Sequence, residues 1–299
     1  MDSVLITGAS GFIGINLVKK FSSKNKVICL SRGNDFKKKS LIYNHKNILW
    51  ETYNPFDSKD ISRILNKHKP KEIIHTAGLI NGSKKELEIA NELSTSYLIE
   101  AINDSNVSPI LIFISSVSSI LKTNYGKSKL NSENEIIKYK KNKLLILRLS
   151  MVYGKGSKSN LYLFEKLLKK YPIVPVPYSK TILLQPLFVD DISQIISSFI
   201  EGNGKDRKIY TVSGPDRLNL IDIVRILKLK SGNKAYIIPI PLFLIKRIIN
   251  LLALIPWIKK YLPLQQLETI DSQPKYNYEE TELDFNLKMT SFCKGVMLY

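Results

Sequence analysis

The chain is short of the residues that hold metals and disulfides together. Its 299 residues include two cysteines and three histidines. Cys29 and Cys293 stand far apart, and His45, His68 and His75 have no metal-ligand spacing with them. A disulfide framework and a zinc site are therefore excluded, no metal is expected, and a reducing cytoplasmic setting is the default. Arginine is also scarce, at 7 against 38 lysines. Net charge is +19, yet the lysines fall in short scattered groups (37–39, 84–85, 138–143, 169–170, 259–260). No single element carries an Arg-bearing basic stripe, which argues against a nucleic-acid partner. The excess favours an anionic substrate instead. Long apolar runs are missing too. Residues 236–258 come nearest, but Lys246, Arg247 and three prolines interrupt them, so no spanning segment is expected. An amphipathic helix of a small C-terminal lobe is the plainer reading. A membrane-surface contact at 240–258 is the alternative, because basic residues and Trp257 flank the apolar face. No secretory pattern opens the chain, and the start is expected to be domain already.

What is present is rhythm. Apolar β-type runs occur at 3–7, 27–31, 72–76, 110–115 and 144–149, with helix-like stretches at 12–23, 59–68, 84–104 and 126–142. Continuous apolar strands separated by helices predict a parallel sheet covered on both faces. Right-handed crossovers make it a doubly wound, Rossmann-type α/β fold. Past residue 150 prolines cluster in YPIVPVPY (171–178), and residues 236–299 read as helical and irregular. The expected division is a dinucleotide-binding domain over 1–152, with 181–214 returning to it. A smaller substrate-binding lobe then takes 153–180 and 215–299.

TGASGFIG (7–14) follows the first strand and opens the first helix. That context suits a loop that cradles phosphates: Gly8 for the turn, Gly11 for close approach of a pyrophosphate, Gly14 for packing. The second strand ends Leu30-Ser31-Arg32-Gly33, with no carboxylate to bond an adenosine ribose. Arg32 and Ser31 are suited to a 2′-phosphate, so NADP is favoured, with NAD as the alternative.

SSVSSILKTNYGKSK (115–129) places Tyr125 and Lys129 four apart, on one helical face, after a strand ending in paired serines. A free Tyr hydroxyl titrates near ~10, too high for a base at neutral pH. A neighbouring ammonium stabilises the phenolate and lets it exchange a proton with an alcohol or carbonyl. Ser116 is the serine best placed to hold the same oxygen, and Ser118 is its alternate. Taken alone, a Tyr-x-x-x-Lys spacing is common in a chain this rich in both residues. An ordinary basic helix is the competing reading.

With these residues assembled, the chain resembles the extended short-chain dehydrogenase/reductase family of nucleotide-sugar epimerases, dehydratases and reductases. The ordered series carries it: TGASGFIG, IIHTAG (73–78), Asn91 with Thr95, ISS (114–116), YGKSK (125–129), LRLSMVYGKG (147–156) and PLFVDDIS (186–193). The resemblance implies Tyr125 as acid/base, Lys129 as ribose holder and pKa-lowering charge, and Ser116 as substrate-orienting hydroxyl. It implies a cofactor site of Gly8, Ser10, Gly11, Phe12, Ile13, Ser31, Arg32, Asn54, Pro55, Ala77, Gly78, Lys129 and Val152. Substrate contacts would be Ser116, Ser118, Met151, Lys158, Asn160 and Gln185. A homodimer through helices 84–104 and 126–142 is also a family expectation. VYGKGSKSN (152–160) followed by YPIVPVP is similar to bacterial enzymes acting on UDP-N-acetylhexosamines. Departures stand at Asn54, Met151 and Gln185, where the family pattern has Asp, Asn and Arg. The Ser116–Tyr125 interval is short as well.

The expected activity is NADP-dependent 4-keto reduction of a nucleotide-diphosphate sugar, with Tyr125 as proton donor. A 4-epimerase is the alternative. A non-catalytic dinucleotide-binding subunit and a membrane-docked lipid ketone reductase stand behind both.

Overall fold

The structure, a computed structural model, describes residues 2–33, 46–157, 160–245, 247 and 274–299, the side chain of Asn160 excepted. The chain divides into two compact units. The first comprises Met1–Ser150, Val189–Val212 and Glu279–Lys288; the second comprises Met151–Phe188, Ser213–Tyr278 and Met289–Tyr299.

The first unit is built on a seven-stranded parallel sheet. Its strands are β1 (Ser3–Thr7), β2 (Lys26–Ser31), β3 (Ile48–Thr52), β4 (Glu72–His75), β5 (Ile110–Ser116), β6 (Leu144–Leu149) and β10 (Ile209–Val212). Their order is β10-β6-β5-β4-β1-β2-β3. Strand order reverses at β1, whose neighbours are β2 and β4, so the carboxyl ends of these strands frame a crevice. Central strands such as β1 are buried along their whole length, as a sheet covered on both faces requires. Over one face, Ile61, Ile64 and Leu65 of α2 (Ser58–His68) join Leu98 and Ile102 of α4 (Ser94–Asp104) and Ile136 of α5 (Asn124–Ile136). Helix α1 (Phe12–Phe21) packs against β1 and β2 and against α7 (Val189–Ile200).

Local chemistry sets the helix starts. The Asp57 side chain accepts from the N–H groups of Lys59 and Asp60 at α2. Ser83 and Glu86 form a capping box at α3 (Lys84–Leu87). From there the backbone runs through a π-helical stretch, Glu88–Leu93, into α4.

Two features of this unit differ from expectation. β3 (ILWET) is a strand that an apolar-run search misses, because an edge strand half open to solvent has no continuous apolar run. Glu279–Lys288 belongs with the sheet, not with the C-terminal lobe. Helix α9 (Glu279–Phe285) sets Glu280 and Asp284 on Lys208, at 2.5 and 2.9 Å, and stacks Phe285 on Tyr210 with ring centroids 4.7 Å apart. The return of the chain is also narrower than 181–214, covering Val189–Val212.

The second unit holds two small parallel pairs, β7 (Val152–Tyr153) with β9 (Leu187–Phe188) and β8 (Ile173–Tyr178) with β11 (Tyr236–Pro241). Tyr153 is its aromatic hub, with Phe188 at 5.5 Å and Phe292 of α10 (Phe292–Met297) at 4.8 Å. Val174 and Val176 of β8 are buried where the pair packs on α8 (Leu220–Ser231), with α6 (Asn160–Lys170) also against β8. The proline-rich strands were not expected. The Tyr236 N–H donates to the Pro172 carbonyl at 2.7 Å. In a parallel ladder that phase directs residues 173, 175 and 177, and 237, 239 and 241, away from the partner strand. Pro175, Pro177, Pro239 and Pro241 all fall on such positions, so no ladder bond is lost.

Candidate active site

A cleft opens in the first unit where β1, β2 and β4 end. Gly8, Ser10 and Gly11 form one wall, Ser31 and Arg32 the second, and Ala77 and Gly78 the third, with Pro55 also in the lining. All eight are residues the sequence singled out. Leu30, Tyr53, Phe56, Thr76, Ala90 and Ser94 line it as well and were not singled out. Gly8 has φ +64°, and a Cβ there would stand 2.6 Å from the Ala77 nitrogen, so only glycine lets the loop lie this close to the end of β4.

Helix α1 begins at Gly11, with no side-chain cap and no acidic residue in its first turn. Its first N–H groups, including those of Phe12 and Ile13, are thus presented without a competing carboxylate. That arrangement fits a phosphate. Arg32 is exposed at the rim, and its charge acts on the buried Tyr53 phenol. Burial pushes that phenol up to about 12, and Arg32 opposes the rise. Asn54 precedes Pro55 and is not part of the cleft lining. Its side-chain oxygen accepts from the Phe56 N–H at 3.0 Å and its own N–H bonds Asp60, so it shapes the turn that lifts Pro55 and Phe56 into the cleft.

Behind the third wall lies a buried relay. His75 is 2% exposed, with Nδ1 2.6 Å from Thr7 Oγ1 and Nε2 3.0 Å from Thr95 Oγ1. The Thr95 hydroxyl donates to the Asn91 carbonyl at 2.6 Å, so its oxygen is left to accept from His75 Nε2–H. His75 Nδ1 then accepts from Thr7, whose oxygen also receives the Ala77 N–H. One neutral tautomer satisfies every partner. Burial, with the charge of Lys129 adding to it, pushes the His75 pKa down to about 3. The Asn91 side chain continues the network, exchanging two bonds with Leu79 and donating to Ser128. Asn91 and Thr95 sit on and just after the π-helical turn, which sequence periodicity does not reveal.

Ser116, Tyr125 and Lys129 are brought together at the end of β5. The Ser116 oxygen accepts from the Ser118 N–H at 3.1 Å, capping a short 3₁₀ turn, Val117–Ile120. Its proton is then free to point at the Tyr125 phenol, which lies within hydrogen-bonding reach. Burial raises the Tyr125 pKa, and the Ser116 bond opposes the rise. Thr123 caps α5 through the Gly126 N–H. A Cβ on Gly126 would sit 2.2 Å from the Ser118 carbonyl oxygen. The glycine between Tyr125 and Lys129 is what allows the short interval: the helix start rests directly on the 3₁₀ turn.

Lys129 is 5% exposed. Its ammonium donates to the Ile114 carbonyl at 2.8 Å and lies 4.3 Å from the Phe113 ring centroid. Burial lowers its pKa to about 8, and Glu133 works against that shift. Glu133 is itself buried, taking three bonds from Arg148, two from Nε and one from Nη2, and one from the Ser115 hydroxyl.

The remaining expected residues belong to the second unit. Met151 and Val152 lie at its first strand, the Met151 carbonyl accepting from the Leu187 N–H. Gln185 is 3% exposed and its amide is engaged: Oε1 accepts from the Tyr276 N–H and Nε2 donates to the Tyr276 carbonyl. It holds two chain segments together. Lys158, the Asn160 side chain and most of 240–258 lie outside the described residues. No helix among the described residues is long and apolar enough to cross a membrane.

The family sequence model for NAD dependent epimerases/dehydratases matches residues 4–212. The chain belongs to that family. Its members are NAD-dependent enzymes of the short-chain dehydrogenase type. A UDP-glucose 4-epimerase of Vibrio cholerae is 23% identical over 272 residues, 82% of this chain and 80% of its own length. The dTDP-glucose 4,6-dehydratase of Bacillus anthracis, solved with NAD, superposes with a TM-score of 0.77 at 16% identity, over 99% of this chain and 94% of that one. The UDP-N-acetylglucosamine 4-epimerase of Bacillus cereus gives 0.76 at 15% identity, over 100% and 98%. At these identities the structural likenesses establish the family fold.

Proposed function

We propose that the protein is an NADP-dependent reductase that converts a 4-keto nucleotide-diphosphate sugar to the alcohol. The observation that carries the reading is the Ser116–Tyr125–Lys129 cluster at the end of β5. The nicotinamide cofactor supplies the hydride; the chain's own task is the proton. Tyr125 donates its phenolic proton to the oxygen that gains charge. Ser116 bonds that oxygen and the phenol in turn. The Lys129 ammonium, held at the Ile114 carbonyl, would supply the positive charge that favours the phenolate left behind. The uncapped N-terminus of α1 and the Gly8–Gly11 turn would hold the pyrophosphate, and Ser31 with Arg32 the 2′-phosphate of NADP.

A second reading, 4-epimerase, uses the same residues. It is favoured by the Vibrio cholerae relative named above, and it would retain a tightly held NAD. One experiment separates the two. The protein is mixed with NADPH and a UDP-4-keto-6-deoxy-N-acetylhexosamine, and absorbance of the reduced cofactor is followed. Oxidation that falls at least about 10²-fold in Tyr125→Phe is the expected result. No consumption, with interconversion of UDP-GlcNAc and UDP-GalNAc, replaces reduction by epimerisation. Arg32→Ala is expected to weaken NADPH more than NADH in a binding titration.

A further inference from the structure

We propose that the outer face of the β8–β11 pair docks on an anionic lipid surface. The two strands are parallel, and their register pairs Ile173 with Tyr236, Pro175 with Ile238 and Pro177 with Ile240. Paired residues point to the same side of a sheet, and alternate residues share a face. Val174 and Val176 turn inward and are buried. The six residues of these three pairs make the opposite face, and all six are apolar. Tyr236 is 74% exposed, Ile173 53% and Ile238 46%. An antiparallel or two-stranded sheet with one wet face ordinarily alternates apolar with polar residues, and this one does not.

The apolar surface continues at both ends. Tyr171 precedes β8, and Phe243 and Leu244 follow β11; the three are 46%, 66% and 42% exposed. Contiguous exposed apolar area of this kind marks an interaction site.

Charge selects the occupant. Because the strands are parallel, both enter from one end, and that end carries Lys169, Lys170 and Lys234, all exposed. None of the three has an acidic partner among the described residues. Arg247, also exposed, stands just past Leu244. Tyrosines bordered by lysines beside an aliphatic face suit the boundary between lipid headgroups and acyl chains. Anionic headgroups would neutralise the lysines. A second copy of the chain is the weaker fit. A two-fold contact would press together two molecules that each carry a net charge of +19.

The test is co-sedimentation of the full chain with vesicles of phosphatidylcholine alone and of phosphatidylcholine mixed equally with phosphatidylglycerol. The expected result is binding to the mixed vesicles at low salt, weakened at about 0.5 M salt. General basicity alone would do the same, so the deciding sample is the double variant Tyr236→Ser/Ile238→Ser, whose charge is unchanged. Its affinity is expected to fall roughly ten-fold. Ile173→Ser, on the other strand, should act in the same direction. These positions are exposed, so an unaltered circular dichroism spectrum and thermal melt report an intact fold. Equal binding of wild type and double variant overturns the proposal. So does absence of wild-type binding, or a light-scattering dimer that the double variant abolishes while vesicles are ignored.

Discussion

At the residue scale, single atoms decide how closely segments approach. Gly126 carries the start of α5 against the Ser118 carbonyl oxygen. Gly126→Ala is expected to push Tyr125 away from Ser116, costing about 1–3 kcal/mol in a urea melt and at least about ten-fold in turnover. His75 is the second case. Its pKa is held near 3, against 6.5 for an ordinary histidine. Between those values the unfolded chain binds a proton that the folded protein refuses. The stabilisation is therefore complete above about 6.5 and is lost as pH falls toward 3. Melting temperature should drop on going from pH 7.5 to 5, and His75→Gln should show a shallower drop over the same interval. The Thr7–His75–Thr95 bonds were not legible in the sequence, because each residue reads as an ordinary member of a strand or helix.

At the element scale, β5, α5 and β6 are locked by one buried carboxylate. Glu133 on α5 takes bonds from Ser115 on β5 and Arg148 on β6. This pairing fixes the helix that bears Tyr125 and Lys129. Arg148→Met leaves the Glu133 charge uncompensated, and a loss of about 3–5 kcal/mol is expected by denaturant titration. Adding Glu133→Gln to it should recover most of that loss. The elements that announced themselves were the buried ones. The runs 3–7, 110–115 and 144–149 are continuous apolar strands of a covered sheet, and the glycine loop sits where such a sheet requires it. β3, β8 and β11 were silent for a physical reason. One is a half-wet edge, and the other two place prolines where a ladder has no use for an N–H group.

At the scale of the whole molecule, titration and chain order matter more than any one contact. Glu72 opens β4 at the edge of the sheet opposite the cleft. Burial, with Asp2 adding to it and Lys71 opposing, raises its pKa to about 7 from an ordinary 4.5. Here the folded protein keeps a proton that the unfolded chain has released, so stability falls as pH rises from about 4.5 through 7. Glu72→Gln is expected to melt a few degrees higher than wild type at pH 8 and alike at pH 4.5. Chain order was only partly legible. A return of the chain to the sheet was expected over 181–214, and Val189–Val212 lies with the sheet. The return of Glu279–Lys288 did not, since a seven-residue acidic helix shows its role only when Lys208 and Tyr210 are found beneath it.

The prolines of the small sheet reach beyond its own two strands. On each free edge, two of the three outward-facing backbone positions have no hydrogen to donate. A further strand, from another protein or from another copy, finds carbonyls there but a single N–H on each edge. Growth by templated strand addition, the usual hazard of an uncovered apolar ribbon, loses two of its three donors at the backbone. Whatever meets this sheet must do so through side chains on its open face.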